Sequence, residues 1–151
     1  MAEFTNNPVQ EVQANQQVLL NTVIGCPKGY VLHREGSGIV TLRGIVNCPQ
    51  ACYARYQVTF NGNIAVPTDG TAGPISVGIA LDGEPIPTSK AIVTPTAVNA
   101  YNNVTSTAII TVPKGCCFNI SVENTTEVVA PAVVAQAINV QNANLVVTRI
   151  A

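Results

Sequence analysis

Apolar and polar positions alternate through much of this chain, the period of a strand with one face in a core and the other in water. Residues 53–61 show it most cleanly, with Tyr56, Val58 and Phe60 on one side and Gln57, Thr59 and Asn61 on the other. Residues 75–81 place Val77, Ile79 and Leu81 inward, and Gly78 within that run predicts a bulge or a close backbone neighbour. Further on, Ile110 and Val112 and then Phe118, Ile120 and Val122 are spaced by two on either side of Pro113-Lys114-Gly115. That spacing predicts a hairpin with a moderately wide loop. The final run, 142–150, is β-branched and weakly alternating, and its backbone is best satisfied inside a sheet.

The remaining segments are shorter. Residues 17–24, 30–33 and 38–45 read as brief strands separated by Gly- and Pro-rich turns, close enough to require antiparallel pairing. Residues 63–74 carry Pro67, Asp69-Gly70 and Gly73-Pro74 and read as a surface loop, with Asp82-Gly83 as a further turn. Residues 89–96 read as a strand broken by Pro95, and 101–111 as the strand leading into the hairpin. For 128–140 the Ala-rich middle permits a helical turn, whereas Pro131 and the β-branched residues favour extended chain. Residues 1–16 are polar and contain Pro8; they read as an N-terminal arm, either a flexible terminus or a docking element, ahead of a single domain at 17–151. Eight to ten short strands with Gly, Pro and Asn turns predict an all-β fold, an antiparallel β-sandwich and most simply a jelly roll.

Composition sharpens this picture. Of 151 residues 47% are hydrophobic, yet there are only three Phe, four Tyr and no Trp, a balance suited to strands. Charged residues make up 10%, against roughly 25% in an ordinary soluble domain. So little charge implies a surface of neutral polar groups, or a surface hidden against copies of the same chain. Seven scattered Lys and Arg supply no phosphate-binding face, so no nucleic-acid partner is expected. No run approaches the ~20 residues that span a bilayer, and no signal peptide is expected.

Little in the sequence points to catalysis. The one histidine, His33, stands beside Arg34 and Glu35 at a turn and reads as a satisfied surface or interface residue. Ser37 and Ser76 lack the strand-to-helix setting of a nucleophile. Asp69, Asp82, Glu84 and Glu123 are separated by turns, with no sign that two of them face one substrate. No cofactor is expected, since no Gly-rich loop opens a helix. The cysteines at 26, 48, 52, 116 and 117 leave three readings open: a thiolate metal site, disulfides under oxidising conditions, or reduced packing residues, the last expected for most of them.

The segments Ile79-Ala-Leu-Asp-Gly-Glu-Pro-Ile86, Ile110-Thr-Val-Pro-Lys-Gly-Cys-Cys117, Ser121-Val-Glu-Asn-Thr125 and Val140-Gln-Asn-Ala-Asn-Leu-Val-Val-Thr-Arg149 resemble the tumour-necrosis-factor/complement-C1q-like jelly-roll modules of bacterial surface and phage structural proteins. The resemblance covers roughly residues 53–150. It implies a non-enzymatic homotrimer whose final strand lies in the trimer-forming region, with Leu145 and Val147 at core or threefold-interface positions and Tyr56, Val58 and Phe60 on the facing strand. Residues 34–44 are similar to segments of small proteins encoded beside phage structural genes. On that likeness the chain is expected to decorate or stabilise a phage capsid at the virion surface after assembly in the bacterial cytoplasm. Its arm would dock on the major capsid protein or another virion component. The other reading is a receptor- or carbohydrate-binding head, for which the loops bearing Tyr30, Tyr53 and Tyr101 supply the aromatics.

Overall fold

The computed structural model describes residues 2–25, 29–128 and 135–151. Among these, twelve strands form two antiparallel sheets that face one another as a β-sandwich. The first sheet, sheet A, contains β1 (Ala2–Asn6), β2 (Gln10–Val12), β3 (Thr22–Ile24), β6 (Tyr53–Ala65), β10 (Asn102–Pro113) and β12 (Ile138–Arg149). Its order is β10-β6-β12-β1-β3, with β2 also on β12. Sheet B contains β4 (Val31–His33), β5 (Val40–Arg43), β7 (Ile75–Leu81), β8 (Glu84–Pro85), β9 (Ala91–Val93) and β11 (Cys117–Asn124). Its order is β4-β5-β11-β7-β8, with β9 also on β7.

The alternation at 53–61 extends further than the sequence suggests, and β6 keeps it through all but the last of its thirteen residues. At ~3.3 Å per residue that strand is about 40 Å long. Tyr56, Val58 and Phe60 are fully buried and meet Leu145 and Val147 of β12 in the same core. Opposite them sheet B contributes Leu42, Ile79, Ile120 and Val122. Leu145 and Val147 are therefore core residues, buried to 0% and 1% exposure, and the threefold-interface alternative for them is withdrawn. The residue before each, Asn144 and Val146, points the other way.

The segment expected to be an arm, described from Ala2 onward, is part of the sandwich. β1 lies inside sheet A, between β12 and β3, with Phe4 opposite Leu145 and fully buried. β2 continues along the same edge of β12, Val12 opposite Ile138. Between them the chain breaks step at residues 7–9, where Pro8 has no N–H to give a ladder. β12 breaks step at the same level: the register shifts between Gln141 and Asn144, Asn142 has φ 57°, and its N–H reaches the Asn7 carbonyl at 3.2 Å. Bulge faces break, so the two irregularities are matched.

A second correction concerns the expected hairpin at 108–122. The turn is there, with Cys116 N–H donating to the Pro113 carbonyl at 3.0 Å and Gly115 at φ 78°. Its arms do not pair with each other. β10 pairs with β6 in sheet A, while β11 pairs with β5 and β7 in sheet B, so the turn carries the chain across the sandwich. Gly44 makes room for it: a Cβ there would stand 2.0 Å from the Pro113 carbonyl oxygen. Gly78 answers the second of its two expectations, since a Cβ there would meet Thr125 Cγ2 at 3.3 Å and Ser89 Oγ at 3.5 Å. Asp82-Gly83, both at positive φ, closes a two-residue hairpin between β7 and β8. The ambiguous stretch 128–140 falls partly outside the described residues, and its end, from Ile138, begins β12.

If β1 belongs to the sheet, Phe4→Ala removes a core aromatic and should cost about 3–5 kcal/mol. Denaturant unfolding of that variant checks it. Deleting residues 1–16 should abolish cooperative unfolding by circular dichroism, because β12 loses the partner of one edge; an intact melt would restore the arm.

Candidate functional site

The strand parity that buries Leu145 and Val147 builds a second surface on the outside of sheet A. Two cross-strand rows run over its centre: Thr107, Thr59 and Val146, then Thr105, Asn61 and Asn144. Their side chains bond to one another, Thr105 Oγ1 to Asn61 Oδ1 at 3.2 Å and Thr59 to Thr107 at 3.2 Å. A third pair, Asn103 to Asn63, bonds at 3.1 Å. Glu3, the carboxylate beside Val146 on β1, accepts a hydrogen bond from Asn144. Apolar side chains stand around this neutral field: Ile109 is 63% exposed, Ile24 51% and Ile150 45%.

The tyrosines expected to form one aromatic patch are divided between the two ends of the sandwich. Tyr53 opens β6, and its Pro113 partner closes β10, whereas Tyr101 precedes β10 at the far end. Tyr30 belongs with Tyr53's end, because the Tyr56 hydroxyl reaches both the Tyr30 carbonyl at 3.4 Å and the Arg43 carbonyl at 2.6 Å. Burial pushes the Tyr56 phenol above its ordinary range, so it stays a donor there. Tyr30 and Tyr53 each lie under a guanidinium, Arg149 at 4.7 Å and Arg55 at 5.0 Å from the ring centres.

Cys48, Cys52, Cys116 and Cys117 are exposed, which corrects the expectation that most cysteines would pack inside. Cys26 lies outside the described residues. The 48–52 loop and the 113–117 turn run side by side, Lys114 N–H donating to the Cys52 carbonyl at 2.9 Å and Gly44 N–H to the Cys116 carbonyl at 2.8 Å. Among the described residues no group of three or more His, Cys, Asp or Glu is placed to hold a metal ion. His33 is held by the Ser37 carbonyl at 3.0 Å and rests against the Phe4 ring, 5.1 Å between centres. Ser76 is buried and its hydroxyl is hydrogen-bonded to that of Thr125 at 2.7 Å, committed to structure.

The carboxylates hold the one surprise. Asp82, at the β7–β8 turn, and Glu123, on the outward side of β11, line one cavity of about 370 Å³ on the outside of sheet B. Segment 15–17 walls it on the other side, its backbone paired with β11 through Asn15 to Asn124 and Gln17 to Glu123. Glu123 is 8% exposed, and among the described residues its carboxylate accepts no hydrogen bond and is left to solvent. Asp82 is held in place by the Asn119 N–H, which donates to its Oδ1 at 2.9 Å. Sequence reasoning missed this pair because only the sheet order sets β7 beside β11.

Burial pushes the Glu123 carboxyl above the ordinary carboxylate range. A carboxyl that holds its proton more tightly when folded supports the fold at low pH, and that support is lost as pH rises through the raised folded value. Glu123→Gln should therefore match the parent chain in Tm at about pH 3.5 and melt higher at about pH 7. Thermal melts at the two pH values check this; an equal offset at both would assign the effect to packing instead.

No protein-family model matches the chain, and no curated protein sequence matches it. Solved structures do. The globular domain of a zebrafish complement 1qA protein is 13% identical, with a TM-score of 0.58 over 96% of this chain and 94% of that one. Eiger TNF from S. frugiperda is 10% identical, with a TM-score of 0.64 over 100% of this chain and 92% of that one. The two-sheet sandwich described above is thus a jelly roll of the TNF/C1q-like type.

Proposed function

We propose that this chain is a non-enzymatic recognition module that assembles with copies of itself, as a homotrimer, through the outer face of sheet A. The observation that carries the reading is that face: it has threonine and asparagine at its centre, apolar residues at its margin, and its nearest carboxylate already bonded to Asn144. Surfaces depleted in Lys, Glu and Asp are those that lose least on being covered. The very low charge of the whole chain fits the same account, since a hidden face needs no charge to stay soluble. Trimeric order is what the TNF/C1q-like resemblance implies, and the fold shared with those domains supports it.

Of the two roles expected from the sequence, the recognition head is better supported than capsid decoration. Docking on a capsid is the role expected of residues 1–16, whereas β1 and β2 within that segment are built into the sheet. The recognition head needs only an open surface away from the assembly face. Sheet B and the loops at the ends of the sandwich provide it.

Neighbouring residues on β12 separate core from interface. Val146→Arg places a charge on the outer face and should leave a chain of native Tm whose mass in light scattering falls from three chains to one. Leu145→Asp buries an unpaired carboxylate, a loss of several kcal/mol, and should unfold the chain. An assembled Val146→Arg protein would sink the assigned interface, and a monomeric parent chain would sink the assembly.

A further inference from the structure

The cavity on sheet B is larger than an ion requires and lies within the roughly 300–1,000 Å³ range of small-molecule pockets. Its lining chemistry narrows the occupant. Glu123 and Asp82 bring two carboxylates, and among the described residues no Lys, Arg or His lines the cavity. Lys90, from the segment that packs over Gly78 of β7, is spent on Glu127 at 2.6 Å. Glu123, a residue only 8% exposed whose carboxylate has neither cation nor hydrogen-bond donor among the described residues and meets solvent instead, leaves an arrangement that a ligand ammonium would complete. The rest of the wall combines amides and a hydroxyl, from Asn15, Gln16, Gln17, Asn119 and Ser121, with the aliphatic Ile39 and Ile120, and among the described residues no aromatic ring lines it. Amides and hydroxyls donate and accept, which suits ligand hydroxyls; without a ring to stack on, a flat aromatic ligand gains little.

From this we infer that the outer face of sheet B is a binding site for a small hydroxylated organic cation of the amino-sugar class. The ammonium meets the Glu123 carboxylate, with Asp82 supplying the second negative charge at the rim, and the sugar hydroxyls meet the side-chain amides. The inference rests on the reading of the chain as a recognition module but not on its assembly. Sheet A and the cavity are on opposite sides of the sandwich, so the site stays open when copies join through sheet A.

The test is ligand-observed NMR titration of the full chain with glucosamine, alongside glucose and N-acetylglucosamine, which share its ring and lack the ammonium. Glucosamine should bind, and both neutral sugars should bind more weakly by about tenfold or more. Glu123→Gln should weaken glucosamine by a similar factor and leave the neutral sugars unchanged. Equal binding of all three sugars, an unchanged Glu123→Gln titration, or no glucosamine binding at millimolar concentration would each overturn the site. So would Ca²⁺ binding that excludes glucosamine, which would make the two carboxylates an ion site. Val146→Arg monomers that still bind glucosamine uphold this inference whatever becomes of the assembly. Oligomers of the parent chain that ignore glucosamine overturn it and leave the assembly intact.

Discussion

Everything in this sandwich depends on β12 being paired along both edges. β6 takes one edge over most of its length, and β1 and β2 together take the other. A strand held on both sides cannot slip by one residue without exchanging its two faces. That lock puts Leu145 and Val147 in the core, and the same lock puts Asn144 and Val146 on the outside. Core and candidate interface are thus two readings of one register. The bulge at Asn142 is the place where the register changes, and the break at residues 7–9 absorbs it on the partner side.

The two ends of the chain meet here, and a buried asparagine ties them to sheet B. Asn124, with no exposed surface, donates to the Val12 carbonyl at 3.0 Å and to the Gln136 carbonyl at 3.1 Å, and accepts from the Thr126 N–H at 3.1 Å. One amide side chain therefore joins the end of β2, the approach to β12 and the end of β11. Buried and fully engaged, it specifies where three segments cross, which a leucine of similar size could not do. Ser76 and Thr126 extend the same seam, with the Ser76 N–H donating to Thr126 Oγ1 at 3.1 Å.

The long strands were legible because their inward positions are large and apolar without a break, as in Tyr56, Val58 and Phe60. β1 was not, and the reason is local. Its inward positions are Ala2, Phe4 and Asn6, so a strand that is buried at every second residue reads as a polar tail with one aromatic. The turn at 113–115 was legible as a turn, but local spacing cannot say whether the arms on either side pair together or part into different sheets. Only the neighbours of β10 and β11, residues far away in sequence, decide that. The exposed cysteines and the Asp82–Glu123 cavity were hidden for the same reason: they are products of which segments adjoin, not of any segment's own pattern.

Placing assembly on sheet A and recognition on sheet B has a consequence for affinity. On that proposal, a site with one carboxylate on a buried residue, an exposed partner and neutral amides would offer a monosaccharide few contacts, and a single copy would bind it weakly. Copies joined as proposed through sheet A would each turn sheet B outward, so several such sites would face away from a common centre. A surface that displays the same sugar repeatedly can then be held by more than one site at once, and avidity exceeds the single-site affinity without any new contact. The gain depends on rigidity, because a flexible linker would dilute the second site. Here no linker intervenes: β11, which carries Glu123, packs through Ile120 and Val122 on the same core as Leu145 and Val147 of β12. The strand that carries Val146 on its outer side therefore shares, through its inner side, one core with the strand that carries Glu123.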